Sequence, residues 1–289
     1  MVTPFGGDGS LNVDGARKLA THLVDNGSDG LVVAGTTGES PTLSHDEKLQ
    51  LFEAIAGEVG DRAAVIAGTG SPDTAETIRL TKEVAQIGGI AAALVVTPYY
   101  SKPPQNGLLA HYRAVADESP LPLMLYDIPG RTGRRVEVET MVELAAHKNI
   151  VADKDAVGNA SETAKLRAAL DAAGHTDFEI YSGDDGMVLP HLAAGAVGIV
   201  SVCSHLIGVP IKNMVTAFEA GDVAGARKIY LQYQEFMSLI MGLTASPIPV
   251  KAAAGMIGLD VGEPRLPNVP ATADESKKIR AALEKVGLL

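Results

Sequence analysis

The chain has 289 residues, 46% of them hydrophobic and none of them tryptophan, enough for one large α/β domain with a core of Ala, Val, Leu and Ile. Its formal net charge of −11 argues against nucleic acid or an anionic membrane as a partner, and the single cysteine, Cys203, excludes an internal disulfide. No apolar run reaches about 18 residues and no charged-then-apolar leader is present, so a soluble, cytoplasmic protein is expected.

In chain order, eight short apolar runs alternate with longer amphipathic ones. The runs are MVTPF (1–5), GLVVAG (30–35), AVIAGTG (64–70), AALVVTP (92–98), PLMLYDIP (122–129), IVADKDA (150–156), FEIYSGDD (178–185) and AVGIVSVCS (196–204). Each is continuously apolar, as strands buried on both faces of a parallel sheet are. Between them, Val13, Ala16, Leu19, Ala20, Leu23 and Val24 fall on one helical face, and Leu49, Phe52, Ile55, Ala56 and Val59 on another. Ser44-His45-Asp46-Glu47 reads as a capping box, and Asp73 as a helix start. Gly27, Gly60, Gly88 and Gly174 mark helix ends.

Eight βα units most simply close into a (β/α)8 TIM barrel. An open doubly wound sheet is the alternative, but the first turn, FGGDGS, has no GxGxxG. Residues 209–221, 224–243, 247–259 and 272–287 read as further helices, and only one is needed to finish the barrel. The expected division is therefore a barrel over 1–221 and a small C-terminal helical domain over 222–289.

Barrel active sites lie at the C-terminal ends of the strands. Those ends carry Thr3, Thr36-Thr37, Thr69, Thr97 with Tyr99-Tyr100, Tyr126, Lys154, Ser182 with Asp184, and Ser201. Hydroxyls dominate, with one lysine, no histidine and no carboxylate pair at metal spacing. A metal site or a hydrolytic triad does not fit. A lysine among hydroxyls suits carbonyl chemistry through an imine, since burial disfavours an ammonium and hydroxyls relay protons. Lys154 nevertheless has two readings, a solvated edge-strand residue or a catalytic amine. A closed barrel has no edge, which weakens the first without removing it. Tyr126 alone reads equally as a core tyrosine. GTTGES (35–40) lacks the GK[ST] of a phosphate loop, and its backbone N–H groups suit a carboxylate instead.

Taken together, AGTTGES (34–40), VVTPYYSKPPQNGLLAHY (95–112), LYDIPGRTG (125–133), KDA (154–156), YSGDD (181–185) and GIVSV (198–202) resemble the dihydrodipicolinate synthase family over essentially the whole chain. These are pyruvate-dependent class I aldolases, related to N-acetylneuraminate lyase, and VGEPRLP (261–267) resembles actinobacterial members. The resemblance implies condensation of pyruvate with L-aspartate 4-semialdehyde to 4-hydroxy-tetrahydrodipicolinate, on the route to diaminopimelate and lysine. It implies no cofactor beyond a covalent imine of pyruvate on Lys154. Tyr126 is implied as proton donor and acceptor, linked by Thr36 to a Tyr100 contributed by a neighbouring subunit. Thr37 would hold the pyruvate carboxylate, the backbone of Gly183 and Val200 would line its pocket, and Arg131 would bind the semialdehyde's carboxylate. A homotetramer built as a dimer of dimers is implied. The rivals are an N-acetylneuraminate lyase or a 2-keto-3-deoxy sugar-acid aldolase, and both are disfavoured by Thr36-Thr37 with GRTG (130–133). A catalytically silent binding barrel is disfavoured by the intact Lys154, Tyr126, Thr36 and Tyr100 set.

The chain departs from the family pattern in three places. Members begin several residues earlier, so either the start is trimmed or the first strand is short. Of the lysine feedback site, Ser40, His45, Glu76 and Tyr99 match polar positions, but Pro72 replaces an asparagine and Lys48 a frequent histidine. Weak or absent inhibition by lysine is expected. Asp153 replaces an apolar residue. If Lys154 faces the barrel interior, Asp153 faces the helices and needs a cation or water there.

Overall fold

The computed structural model describes residues 1–289. Its elements open with α1 (Val13–Asp25), β1 (Gly30–Val33), α2 (His45–Val59), β2 (Ala64–Gly68), α3 (Thr74–Val84) and β3 (Ile90–Val96). They continue with α4 (Gln105–Glu118), β4 (Leu123–Asp127), α5 (Pro129–Thr132), α6 (Val138–Ala145), β5 (Ile150–Asp155) and α7 (Ala160–Ala172). The chain closes with β6 (Glu179–Ser182), α8 (Val188–Ala193), β7 (Gly198–Ile199), α9 (Ser204–Glu219), α10 (Val223–Gly242), α11 (Ile248–Met256) and α12 (Ala273–Lys285).

Seven strands form one sheet in sequential order from β1 to β7. The pairs from β3 to β7 are parallel. Sequential parallel strands with a helix after each are the repeat of a TIM-barrel-like α/β fold.

One expected strand is absent. MVTPF (1–5) makes only an isolated antiparallel bridge, Phe5 with Leu11. The reason lies in its donors. The Val2 N–H is given to Nε2 of His205 at 3.0 Å and the Phe5 N–H to the Val261 carbonyl at 3.2 Å. Pro4 has no N–H to give. The Met1 ammonium donates to the Val32 carbonyl of β1 at 2.6 Å, so the segment touches the sheet without forming a ladder.

Contacts group the chain into two compact units, Met1–Val65 with Val202–Leu289, and Ile66–Ser201. In the Ile66–Ser201 unit, Leu123 and Leu125 of β4 and Ile180 of β6 are fully buried against Leu108 and Tyr112 of α4 and Leu144 of α6. Each such side chain contributes roughly 1.5–3 kcal/mol on burial. A one-residue register slip would turn all of them to the wrong face, so the alternation is firmly set. Positions 123, 125 and 127 therefore face the helices. Position 126 faces the other way.

In the unit formed by the two chain ends, α1 buries Ala16, Leu19, Ala20 and Leu23, and Asn12 caps it by accepting from the Gly15 N–H at 2.9 Å. The expected capping box forms. The Glu47 N–H donates to Ser44 Oγ at 3.2 Å, and the Ser44 N–H donates to Glu47 Oε2 at 2.8 Å. The four expected late helices are present as α9 to α12, though α9 starts at Ser204 rather than at 209. It carries Pro210 and a non-helical Ile207 (φ −127°, ψ 41°). The proline ring crowds the carbonyl four residues back, which kinks the helix there.

Candidate active site

Lys154 and Tyr126 are register partners on the parallel strands β5 and β4. Partners in register point to one face, and Lys154 Nζ lies 4.1 Å from the Tyr126 ring centroid. Lys154 is half-buried and Tyr126 buried. This is the face opposite the helices.

The next strand completes a wall beside the amine. The Gly183 N–H donates to the Asp155 carbonyl at 2.7 Å, and the Val200 N–H to the Ser182 carbonyl at 2.8 Å. A Cβ at Gly183 would stand 2.8 Å from Ala156 Cβ, 3.1 Å from the Asp155 carbonyl oxygen and 3.2 Å from Lys154 Cε. Only glycine admits this approach of backbone to the lysine stem.

Tyr126 is anchored from behind its own peptide. Its carbonyl accepts from both the N–H and Oγ1 of Thr97, each at 3.0 Å, and Tyr112 donates to Thr97 Oγ1 at 3.1 Å. The strand-end threonine thus serves the strand, leaving the Tyr126 ring to the site. His111 contacts Thr74 Oγ1 through Nδ1 at 2.9 Å and packs edge-on against Tyr112.

Tyr100 is 94% exposed and sits at φ +70°, with Lys102 at φ +48° two residues on. Arg134 Nη2 donates to the Lys102 carbonyl at 3.0 Å. That bond joins the Tyr100 loop to the loop after β4, where α5 presents an exposed Arg131. Lys154, Tyr126 and Gly183 are therefore brought into contact, while Tyr100 projects into solvent. Thr36 and Thr37 belong to the other unit. There they occupy a turn closed by the Glu39 N–H donating to the Thr36 carbonyl at 3.0 Å.

Asp153 faces the helices, as alternation requires, and is 2% exposed. The expected cation does not reach it. Arg135 pairs with Glu162 at 2.7 Å instead, and Oδ1 of Asp153 has no hydrogen-bond partner. Burial pushes its acid well above the usual carboxylate range, with Asp155 and Asp127 adding to the effect. Burial also lifts Asp127 to about 7. Asp155 differs, because it accepts from the Val157 N–H at 2.9 Å and from Thr163 Oγ1 at 2.6 Å. It fastens the end of β5 to α7. This layer of carboxylates behind Tyr126 and Lys154 escaped the strand-end survey. The same alternation that places Lys154 inward would have found it, since Asp127 follows Tyr126 as Asp155 follows Lys154.

Asp184 accepts from the Gly186 N–H at 2.9 Å and so holds the turn after β6. No group of three or more His, Cys, Asp or Glu side chains is arranged to hold a metal.

The sequence profile of the dihydrodipicolinate synthetase family matches residues 1–286. The chain belongs to that family. A relative in Synechococcus elongatus, a 4-hydroxy-tetrahydrodipicolinate synthase, is 52% identical over 100% of this chain and 95% of its own. The crystal structure of the family member from Cyanidioschyzon merolae with lysine bound superposes with a TM-score of 0.95 at 44% identity, covering 100% of this chain and 97% of that one. The family member from Acinetobacter baumannii, solved in complex with pyruvate, gives a TM-score of 0.95 at 36% identity, covering 100% of this chain and 97% of that one. The family supplies the fold class expected from the βα pattern. No helix is long and apolar enough to cross a membrane.

Proposed function

We propose that this chain condenses pyruvate with L-aspartate 4-semialdehyde to 4-hydroxy-tetrahydrodipicolinate, with Lys154 as the imine-forming amine. The observation that carries the proposal is the placement of Lys154 Nζ 4.1 Å from the Tyr126 ring, on one face of adjacent strands. The family's named relatives agree with it.

In this reading the Lys154 amine adds to the pyruvate ketone, and loss of water leaves an imine. Removal of a C3 proton gives an enamine, whose C3 attacks the aldehyde carbon of the second substrate. The resulting alkoxide takes a proton. The substrate's own amine then adds to the imine carbon, closes the ring and expels Lys154 as a free amine. One water leaves overall. Tyr126 delivers and removes protons beside Lys154, with Thr36 linking it to Tyr100. Thr37 and its N–H receive the pyruvate carboxylate. The backbone of Gly183 and Val200 lines the pyruvate, and Arg131 receives the semialdehyde carboxylate through its planar fork.

A tyrosine as exposed as Tyr100 suits a role in a neighbouring copy of the chain. We accordingly place the working enzyme in a homotetramer, a dimer of dimers. A cytoplasmic location accords with its substrates.

The test is borohydride reduction in the presence of pyruvate, followed by peptide mass mapping. The expected result is a pyruvate-derived adduct on Lys154. No adduct, or one on another lysine, overturns the proposal. Supplying aspartate semialdehyde, and separately N-acetylneuraminate, distinguishes the synthase from the lyase.

A further inference from the structure

The 34–40 turn carries Thr36 and Thr37 and holds two non-glycine residues in the left-handed region, Ala34 (φ +51°) and Glu39 (φ +56°). An L-residue stays there only where its surroundings over-determine it. At Glu39 those surroundings come from the other end of the chain. Its side chain is 1% exposed and ion-paired at 2.8 Å with Lys251 of α11, itself 1% exposed. The Arg265 N–H donates to Glu39 Oε2 at 2.9 Å.

Both cations are themselves held. Lys251 Nζ donates to the Glu263 carbonyl at 3.1 Å and lies 4.3 Å from the Phe5 ring centroid. Arg265 Cζ lies 4.2 Å from the same ring. Its guanidinium forks onto Glu47 at 2.8 and 2.5 Å, and it donates to the carbonyls of Gly9 and Thr42, each at 2.8 Å. Arg265 holds the Glu47 carboxyl down to about 2. Within the turn, the Glu39 N–H closes onto the Thr36 carbonyl at 3.0 Å, and Thr3 Oγ1 donates to the Gly38 carbonyl at 2.6 Å.

A carboxylate so enclosed is in no position to exchange protons with a substrate. Nor does such a pair add much stability over an apolar pair of the same size, because desolvation offsets the attraction. What it contributes is one conformation of the turn. We infer that Glu39, Lys251 and Arg265 are positioning residues for pyruvate. They hold the turn whose Thr36 and Thr37 receive its carboxylate, and so couple α11 to pyruvate affinity. This rests on the function proposed above.

The test compares the full-length chain with Glu39→Gln and with the double variant Glu39→Gln/Lys251→Met, which leaves no buried unpaired charge. The readout is the pyruvate concentration giving half-maximal borohydride-trapped adduct on Lys154, beside the KM for aspartate semialdehyde and the melting temperature. The expected result is a rise of about tenfold or more in half-saturating pyruvate in both variants, with the semialdehyde KM within about twofold. The double variant is expected to melt within about 4 °C of the parent. A folded double variant with the parent's half-saturation overturns the inference. So does a parallel rise for both substrates, or a double variant that does not fold, since each assigns the pair to general stability. If the parent chain itself gives no adduct, the proposed function falls and this inference with it. If the parent traps pyruvate and the variants are unchanged, only the inference falls.

Discussion

Lys154 Nζ lies 4.1 Å from the centroid of the Tyr126 ring, and the two residues are register partners on adjacent parallel strands. The contact is set by backbone pairing rather than by a mobile loop. The ring and its hydroxyl can therefore be separated experimentally. Tyr126→Phe keeps the ring against Lys154 and removes only the hydroxyl. We predict that kcat falls about 100-fold or more while a pyruvate adduct on Lys154 is still trapped, more slowly. Steady-state kinetics with trapping checks this, and unchanged kcat would remove Tyr126 from proton transfer.

Arg131 stands exposed on α5, in the loop that Arg134 ties to the Lys102 carbonyl. Arg131→Ala is predicted to raise the KM for aspartate semialdehyde about 10- to 100-fold, the value of a lost charged fork. Half-saturating pyruvate in the trapping assay should stay within about twofold if the arginine serves the second substrate, as proposed. Equal effects on both substrates would contradict the assignment.

Gly183 admits no side chain. A methyl group there would meet Ala156 Cβ at 2.8 Å and the Asp155 carbonyl oxygen at 3.1 Å, in the wall beside Lys154. Gly183→Ala is expected to lower stability by about 1–3 kcal/mol, as overpacking does. It should also cut kcat/KM for pyruvate. Denaturant titration and kinetics measure both, and a variant unchanged in both would show that β6 yields freely.

Asp153 gives a pH-dependent stability whose sign is opposite to that of a paired carboxylate. Its folded-state acid is raised by burial. The folded chain therefore holds a proton that the unfolded chain releases above about pH 4. Stability is greatest below that value and declines as pH rises toward the folded-state value. Asp153→Leu removes the penalty. We expect the variant to gain about 1–3 kcal/mol at pH 8 and less at pH 5. A gain that does not depend on pH would refute this account.

His205 supplies the acid limb. It is 2% exposed, accepts the Val2 N–H and contacts the Val202 carbonyl through Nδ1 at 2.7 Å, and burial lowers its value to about 3. A depressed histidine is neutral when folded but takes a proton when unfolded. Its stability is full above about pH 6.5 and is lost as pH falls from there toward 3, by up to about 1.4 kcal/mol per pH unit. Melting curves of the chain and of His205→Asn between pH 7 and pH 4 should diverge, with the shallower slope in the variant.

The sequence by itself determined the βα alternation, the helix starts at Ser44 and Asp73, and that Tyr126 and Lys154 stand at strand ends. These depend on local rules, namely the period of two in a strand and the caps that adjacent residues form. Tertiary structure decided the rest. MVTPF reads as a strand because it is apolar, but its donors go to His205 and Val261, which no local pattern reveals. Asp153 reads as a residue that needs a cation or water, yet Arg135 is taken by Glu162 and burial raises the acid. Glu39 reads as one letter of a glycine-rich turn. The groups that bury it are Lys251 and an Arg265 that stands 226 residues away in sequence. Burial and ion pairing depend on which distant groups arrive together, and only the folded chain settles that.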